Sequence, residues 1–267
     1  MTSAQPPASV LRAFGAGEPP RPLVGGRGDS WVVGELVLKP DVGPVHEWLA
    51  EALADVVADG FRLATPVRTR HGAWSREGWS ATRWVDGSVP DRAEASTWIE
   101  ILETGRAFHR AVAHLSRPDC LDAREDWWAL ADRVAWGESV IKFRPEFADL
   151  SRRLRGALEP LGSAQIVHGD LTGNVLFSPT LPPAVIDVSP YWRPPAYAEG
   201  VVVADALCWH NAEASLLEVT GVSVAAVARA LLFRMATTNT AVTCGQRDID
   251  VQDEARRYRL AAEAIGL

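Results

Sequence analysis

Three polar residues stand at the ends of short apolar runs between Ile166 and Asp187, where the chain reads IVHGDLTGNVLFSPTLPPAVID. Asp170 follows the first run, Asn174 precedes the second, and Asp187 closes the third. Carboxylate and amide oxygens at such places can accept a proton from a hydroxyl group and can hold Mg²⁺ against a phosphate. The types and spacing of these residues therefore indicate phosphoryl transfer.

Each of these residues alone has a simpler structural interpretation. An aspartate in a turn commonly accepts a hydrogen bond from its own backbone, and glycine and asparagine are frequent turn formers. The order of the residues favours catalysis over simple turns, because His168 and Asp170 are followed first by Asn174 and then by an aspartate at a strand end.

The segment resembles the catalytic loop of the aminoglycoside phosphotransferases and choline kinases, which are relatives of the protein kinases. Those enzymes carry His-Gly-Asp, then an asparagine, then a metal-binding aspartate that closes the next strand. The resemblance implies that Asp170 is the catalytic base and that His168 supports the loop by hydrogen bonding. It also implies that Asn174 and Asp187 bind Mg²⁺. The loop has one residue fewer between aspartate and asparagine than the family usually has.

A glycine-rich stretch near the N-terminus could bind the phosphates of a nucleotide. We predict a strand, a glycine turn and two further strands between residues 22 and 39, with Gly25, Gly26 and Gly28 in the first turn. Glycines let a backbone pass close to a phosphate and expose its N–H groups. An ordinary hairpin is the alternative, and the stretch is not a Walker A motif because no Gly-Lys-Ser/Thr follows.

Lys39 closes an apolar strand at Leu36–Leu38. In the kinase-like arrangement, a strand lysine reaches the α- and β-phosphates and is held by a glutamate from a helix. Apolar residues recur at helical spacing from Val45 to Val56, which predicts that helix. We expect Glu51, near the edge of its apolar face, to pair with Lys39, and Asp55 is the second choice. A solvated acidic stripe is the alternative.

The composition changes from strand-like to helical after Asp86-Gly87, which predicts two lobes. Residues 1–87 would form the nucleotide-binding lobe, with an irregular arm at 1–22, and residues 88–267 a helical lobe with the catalytic loop and acceptor site. The resemblance implies an α+β, bilobal, protein-kinase-like fold, in which a small antiparallel β lobe with one helix precedes a larger, mainly helical lobe. It also implies that the linker lines the pocket for the nucleotide base through backbone atoms of Arg83, Trp84 and Val85.

Further expectations concern residues around this framework. Strands are predicted at 61–64, 67–70 and 79–85. His109 is expected to be structural or exposed, and the resemblance assigns Asp205 to bracing the catalytic loop. Acidic residues of the C-terminal helices are candidates to hold a cationic acceptor, namely Glu213, Asp248 and Asp250.

The composition excludes several classes of protein. A net charge of -7 and a pI near 5.4 argue against a general nucleic-acid binder, whose surface would be basic. Three scattered cysteines without a CxxC pair suggest neither a disulfide framework nor a zinc site. There is no apolar run of membrane-spanning length and no signal-peptide pattern, so we expect a cytoplasmic protein without membrane or nucleic-acid partners.

The sequence thus predicts an ATP- and Mg²⁺-dependent phosphotransferase that acts on a hydroxyl group of a small molecule. The short loop supports an alternative, a catalytically inactive nucleotide-binding protein or scaffold. Transfer of AMP or phosphate to a protein is a third possibility. The acceptor stays open among aminoglycosides, other antibiotics, sugars, choline-like amines and amino alcohols, as does GTP in place of ATP. The pattern does not indicate an oligomeric state.

Overall fold

The structure, a computed structural model, describes residues 5–23, 28–40 and 43–267. The described residues form ten strands: β1 (Arg21–Pro22), β2 (Trp31–Val33), β3 (Leu36–Pro40), β4 (Arg62–Leu63), β5 (Ser75–Arg76), β6 (Trp79–Arg83), β7 (Gln165–His168), β8 (Val175–Leu176), β9 (Ala184–Val185) and β10 (Pro190–Arg193). The same residues form nine α-helices: α1 (Ala8–Phe14), α2 (Pro44–Ala54), α3 (Ala95–Ala111), α4 (Trp127–Ala135), α5 (Pro145–Gly156), α6 (Pro195–Trp209), α7 (Ser215–Thr220), α8 (Val224–Thr243) and α9 (Val251–Ala264).

The N-terminal sheet orients Lys39. Its five strands are antiparallel in the order β1-β2-β3-β6-β5, and Lys39 of β3 lies opposite Ser80 of β6. Successive side chains of a strand point to opposite faces. Leu38 is fully buried in a core with Val10 and Phe14 of α1, so Lys39 lies on the other face of the sheet. The N-terminal arm, which we expected to be irregular apart from one helical turn at residues 10–14, contains α1, and this helix packs under the sheet.

One predicted strand does not form, and another pairs with a strand that lies far along the chain. Residues 67–70 form no strand, because Pro66 lacks an N–H donor and makes only an isolated bridge to Thr82 before the chain turns at Gly72. Strand β4, within the expected 61–64, pairs in parallel with β9, far along the chain. Strand β8 completes this three-stranded sheet. The pairing joins the N-terminal segment directly to the strand that leads to Asp187.

The larger part of the molecule is helical and is built around α8. Helices α4, α5, α6 and α9 all pack against α8, whose apolar residues are buried on nearly every side. The crossing with α6 is close: a Cβ on Gly200 would lie 2.4 Å from the carbonyl oxygen of Ala226. This contact brings the polar residues of α8 near the catalytic loop.

The predicted α+β, protein-kinase-like fold is confirmed, with a small antiparallel sheet and a larger helical part. The division into 1–87 and 88–267 stays a prediction. A shared apolar core connects the two parts, in which Leu53 of α2 packs with Phe61, Phe108 and Ile166. In the described ranges, no helix is long and apolar enough to cross a membrane.

Candidate active site

The catalytic loop begins at the buried end of β7. Strand β7 is antiparallel to β10, with His168 opposite Pro190. The N–H of Gly169 donates to the carbonyl oxygen of Ser189 at 2.9 Å, and a Cβ at Gly169 would lie 2.4 Å from the ring of Tyr191. Glycine is therefore required here for space, and the packing fixes where the next residue, Asp170, leaves the strand.

His168 ties the loop to the segment before Asp187. Its Nδ1 accepts the backbone N–H groups of Asp170 at 3.2 Å and Ser189 at 3.4 Å. The ring proton therefore resides on Nε2, which donates to the carbonyl oxygen of Ile186 at 3.2 Å. The side chain is fully buried, and burial lowers the pKa of His168, so the ring is neutral near pH 7. This geometry supports a positioning role.

His109 of α3, which we expected to be structural or exposed, is buried and supports the same strand. Its Nε2 accepts the backbone N–H of His168 at 3.1 Å. Burial, together with the neighbouring His168, lowers the pKa of His109 to about 3. The available signal was helical spacing, because His109 shares the buried side of α3 with Gly105 and Phe108.

Asp170 lies in an arginine–carboxylate network. Its Oδ1 accepts a hydrogen bond from Arg234 Nη2 at 2.8 Å. Arg234 also donates through Nε and Nη2 to the two oxygens of Asp205, at 2.8 and 2.6 Å. Burial raises the pKa of Asp170, but the charge and hydrogen bond of Arg234 outweigh it, so the pKa lies below its ordinary value. The carboxylate is consequently ionised at neutral pH.

The sequence analysis did not single out Arg234 as a candidate site residue. Asp205 was expected to brace the catalytic loop, and in the structure it contacts Asp170 through this arginine. No local motif marks Arg234, which lies in the middle of α8 with apolar residues on either side of it in the sequence.

Asn174 turns its amide nitrogen toward Asp170. The Nδ2 donates to the backbone oxygen of Asp170 at 2.7 Å and lies 3.4 Å from its Oδ2. The short loop closes through the N–H of Asn174, which donates to the carbonyl oxygen of Leu171 at 2.9 Å. These bonds engage the nitrogen, and so Oδ1 is the amide atom that could bind a cation.

Asp187 meets Lys39, although the two residues are far apart in sequence. Asp187 Oδ2 lies 2.7 Å from Lys39 Nζ, and its side chain is 56% exposed. Its φ of 49° places it in the left-handed region, which aspartate tolerates better than most residues and which recurs at functional sites. The structure thus brings the strand lysine to the carboxylate that follows the catalytic loop.

The expected pair between Lys39 and Glu51 is not the arrangement found. Glu51 Oε2 instead accepts hydrogen bonds from Arg68 Nη2 at 2.7 Å and Trp74 Nε1 at 2.8 Å. The guanidinium group of Arg68 also stacks 3.8 Å from the ring centroid of Trp74. These partners lower the pKa of Glu51, the Trp74 bond most and then that of Arg68. The segment at 67–70, which forms no strand, therefore supplies one partner of Glu51, and Trp74 after the turn supplies the other.

The linker has some of its backbone groups already engaged. The N–H of Arg83 donates to Thr65 and that of Trp84 to Glu35, each at 2.8 Å. A nucleotide base would therefore have to use the linker's other backbone groups, including those of Val85. Trp84 itself is partly exposed, and its Nε1 donates to Asp86.

The glycines of the N-terminal turn are only partly described. Gly28 has a φ of 71°, and a Cβ there would have no neighbour within 4 Å, so glycine suits this position by its backbone conformation. Gly25 and Gly26 lie outside the described residues.

The sheet supplies Lys39, and the segment around the catalytic loop supplies Asp170 and Asp187; we call the region bordered by these three residues the cleft. The fold with these groups is that of a kinase-like phosphotransferase. The chain belongs to the phosphotransferase enzyme family, whose sequence model matches residues 38–188. A search of curated proteins found no match.

Several solved structures share the fold at low sequence identity. An aminoglycoside phosphotransferase from Alicyclobacillus acidocaldarius has a TM-score of 0.64 at 18% identity, over 100% of this chain and 95% of that one. A choline/ethanolamine kinase family protein from Mesorhizobium loti has a TM-score of 0.61 at 17% identity, over 94% and 89% of the two chains. A thermostable mutant of aminoglycoside phosphotransferase APH(4)-Ia, in ternary complex with AMP-PNP and hygromycin B, has a TM-score of 0.58 at 14% identity, over 97% of each.

Proposed function

We propose that this protein transfers the γ-phosphoryl group of ATP to a hydroxyl group of a small molecule, in a Mg²⁺-dependent reaction. The observation that carries the proposal is the meeting of Lys39 and Asp187 beside the loop that presents Asp170 and Asn174. Family membership supports the reaction class. The fold alone would not fix it, since one fold can serve several functions.

Asp170 is suited to orient the acceptor hydroxyl and accept its proton. One of its oxygens, Oδ1, is occupied by Arg234, and the side chain is still 47% exposed. Among the described residues, the second oxygen, Oδ2, has only the long contact with Asn174 Nδ2. It is thus the oxygen that could accept a hydrogen bond from the substrate, and the ionised state of Asp170 at neutral pH suits an acceptor role.

The residues of the cleft fit a Mg²⁺ ion. Mg²⁺ is commonly bound by one or two carboxylates together with water and phosphate oxygens. Asp187 and the Oδ1 of Asn174 would hold it, and when bound it would offset the negative charge of the phosphates. In the described part of the chain no three His, Cys, Asp or Glu side chains form a metal site by themselves.

Lys39 would bind the α- and β-phosphates of the nucleotide. Its present partner, Asp187, is half exposed, and ion pairs of this kind are weak in water. A triphosphate offers the ammonium group more negative charge than a single carboxylate does, so Lys39 would exchange one partner for another without breaking buried structure.

The solved relatives support a nucleotide and a small acceptor without identifying either. The APH(4)-Ia structures hold AMP-PNP or ADP together with hygromycin B, and an aminoglycoside 2'-phosphotransferase-IIIa structure holds GDP. Both ATP and GTP therefore belong in the first binding assay, and the acceptor assay needs chemically different hydroxyl compounds.

A second candidate, a nucleotide-binding protein without transferase activity, is favoured by one observation. The loop is one residue short, and Arg234 already occupies an oxygen of Asp170. Such a protein would bind Mg²⁺–nucleotide but transfer no phosphate.

The test has two stages. Thermal unfolding is first measured with ATP or GTP, with and without Mg²⁺, and we expect Mg²⁺-dependent stabilisation. Phosphate transfer is then measured on aminoglycosides, sugars, choline-like amines and amino alcohols, with Asp170→Asn as the matched control. Transfer by the wild type alone supports the phosphotransferase, whereas stabilisation without transfer across the panel supports the inactive alternative.

A further inference from the structure

Arg234 lies between two carboxylates, those of Asp170 and Asp205, that differ in their exposure to solvent. Its side chain is 14% exposed, that of Asp205 is 5% exposed, and that of Asp170 is 47% exposed. Both oxygens of Asp205 accept hydrogen bonds from the guanidinium group, one from Nε and one from Nη2. That pairing fixes the plane of the group, because the donors of arginine form a rigid fork.

The bond to Asp170 is additional to this pairing. Asp205 alone supplies one negative charge and two acceptors, which already suffice to neutralise the buried arginine. Nη2 nevertheless also donates to Asp170 Oδ1 at 2.8 Å. Asn174 Nδ2 lies near Oδ2, so the two oxygens of Asp170 have different neighbours. These different contacts favour one orientation of the carboxylate.

The short loop is held mainly by residues outside it. Arg92 Nη2 donates to the carbonyl oxygen of Thr172 at 2.7 Å. Leu171 is buried, and a Cβ on Gly105 of α3 would lie 2.5 Å from its Cδ1. Arg234 is the outside residue that contacts the aspartate side chain itself, so the direction of that side chain depends on α8.

We propose that Arg234 is a positioning residue for phosphoryl transfer: held by Asp205, it orients the carboxylate of Asp170 so that Oδ2 faces the acceptor hydroxyl. This inference rests on the proposed function and extends it to a helix beyond the segment that the family model matches. A small displacement of a reacting group can lower a rate by about 10²-fold. Removing Arg234 should therefore reduce turnover much more than substrate binding.

The experiment compares Arg234→Met and Arg234→Lys with the wild type. We expect kcat to fall by about 10²-fold in Arg234→Met and by less in Arg234→Lys, which keeps the charge without the fork. The dissociation constant for Mg²⁺–nucleotide, measured by calorimetry, should change by less than about twofold, because the Lys39 side of the cleft is untouched. A kcat equal to that of the wild type, or a loss of nucleotide affinity as large as the loss of kcat, overturns the proposal.

Arg229→Met is the matched control. Arg229 is a second buried arginine on α8, but it donates to the carbonyl oxygens of Ala135 and Glu159, away from the loop. We expect its loss to lower the melting temperature and leave kcat near the wild-type value. An equal fall of kcat in Arg229→Met and Arg234→Met would show general damage to α8 and overturn the positioning role.

Chemical rescue gives a readout that a purely structural role would not move. Added guanidinium chloride at low millimolar concentration should raise the kcat of Arg234→Ala several-fold and leave that of the wild type unchanged. If Arg234→Met and Arg234→Ala fail to fold, the kcat of Arg234→Lys decides: a reduced value supports the proposal and a wild-type value overturns it. Failure of the proposed function is recognised separately, because the wild type itself would then transfer no phosphate.

Discussion

The two sides of the cleft are held in different ways. Lys39 and Asp187 form an ion pair with side chains 32% and 56% exposed, whereas Arg234 and Asp205 are 14% and 5% exposed. An exposed pair contributes about 0–1 kcal/mol to stability, but removing one partner of a buried pair costs about 3–5 kcal/mol. The loop side is therefore preformed, while the lysine side can change partners when a nucleotide binds.

This difference suits what each side would have to do in the proposed reaction. A proton acceptor works only in one orientation, and the neutral His168, Asn174 and the arginine of α8 each restrict the loop. Phosphates and a metal ion must enter and leave in every cycle, so the groups that bind them remain within reach of water. A rigid loop side would keep the proton acceptor in its orientation. An exchangeable ion pair on the lysine side would let phosphates and the metal ion enter and leave.

The largest effect is expected on the rigid side. Asp170→Ala should lower kcat by about 10²–10⁴-fold, the usual contribution of a positioned proton acceptor. Nucleotide affinity should change little, because Lys39 and Asp187 remain. Steady-state kinetics on a confirmed acceptor measures the first quantity and calorimetry the second. Unchanged turnover would remove Asp170 from the role of acceptor of the proton.

On the exchangeable side, Asp187→Ala should abolish the Mg²⁺ dependence of nucleotide binding. We expect the affinity for Mg²⁺–ATP to fall by about 10²-fold or more, since a carboxylate is the principal protein ligand for this ion. Calorimetry with and without Mg²⁺ provides the measurement. The stability of the free protein should change by less than about 1 kcal/mol, because the ion pair that is lost is half exposed. Intact Mg²⁺-dependent binding would refute the metal assignment.

The buried histidines make the preformed side sensitive to acid. Burial, and then His168, lower the pKa of His109 to about 3, and burial lowers the pKa of His168 as well. Between about pH 6.5 and pH 3 the unfolded chain binds a proton at His109 that the folded chain does not. Stability should therefore fall with decreasing pH, by about 1.4 kcal/mol per pH unit for this residue and by about 2 kcal/mol at pH 5.

Urea unfolding at pH 7 and pH 5 measures this loss. His109→Gln is the control, because it cannot be protonated in this range and keeps an acceptor for the N–H of His168. The variant should lose less stability between the two pH values than the wild type. Equal losses would show that the acid sensitivity arises elsewhere.

The sequence predicted the parts of the site that depend on local pattern. Asp170, Asn174 and Asp187 stand where apolar runs end, and strand alternation placed Lys39 opposite the buried Leu38. The partners of these residues were not predictable in this way, because they come from distant segments. Arg234 lies within α8, and its contact with Asp170 depends on how α8 crosses α6.

The predicted pair between Glu51 and Lys39 was wrong for the same reason, because the partners of Glu51 come from another segment of the chain. Helical spacing led us to expect Glu51 at an edge of the apolar face of α2, and the structure shows it exposed on that helix. Its partner depends on where the segment after Pro66 passes. That segment forms no strand, and it brings Arg68 and Trp74 to Glu51. Spacing along one helix carries no information about which distant cation lies nearest.

Substitution of Glu51 is expected to have the smallest effect, and it tests directly whether the lysine side of the cleft changes partners when a nucleotide binds. If the lysine side adjusts when nucleotide binds, Glu51 could leave Arg68 and pair with Lys39 in the bound state. Glu51→Gln should then weaken Mg²⁺–nucleotide binding by about 3- to 10-fold, while Arg68→Met, which frees Glu51, should leave it equal or tighter. In the free protein, Glu51→Gln should leave the stability close to that of the wild type, because this surface contact is solvent-exposed. Unaltered binding in both variants would mean that Glu51 stays with Arg68 and Trp74, and that Asp187 alone holds the lysine until phosphate replaces it.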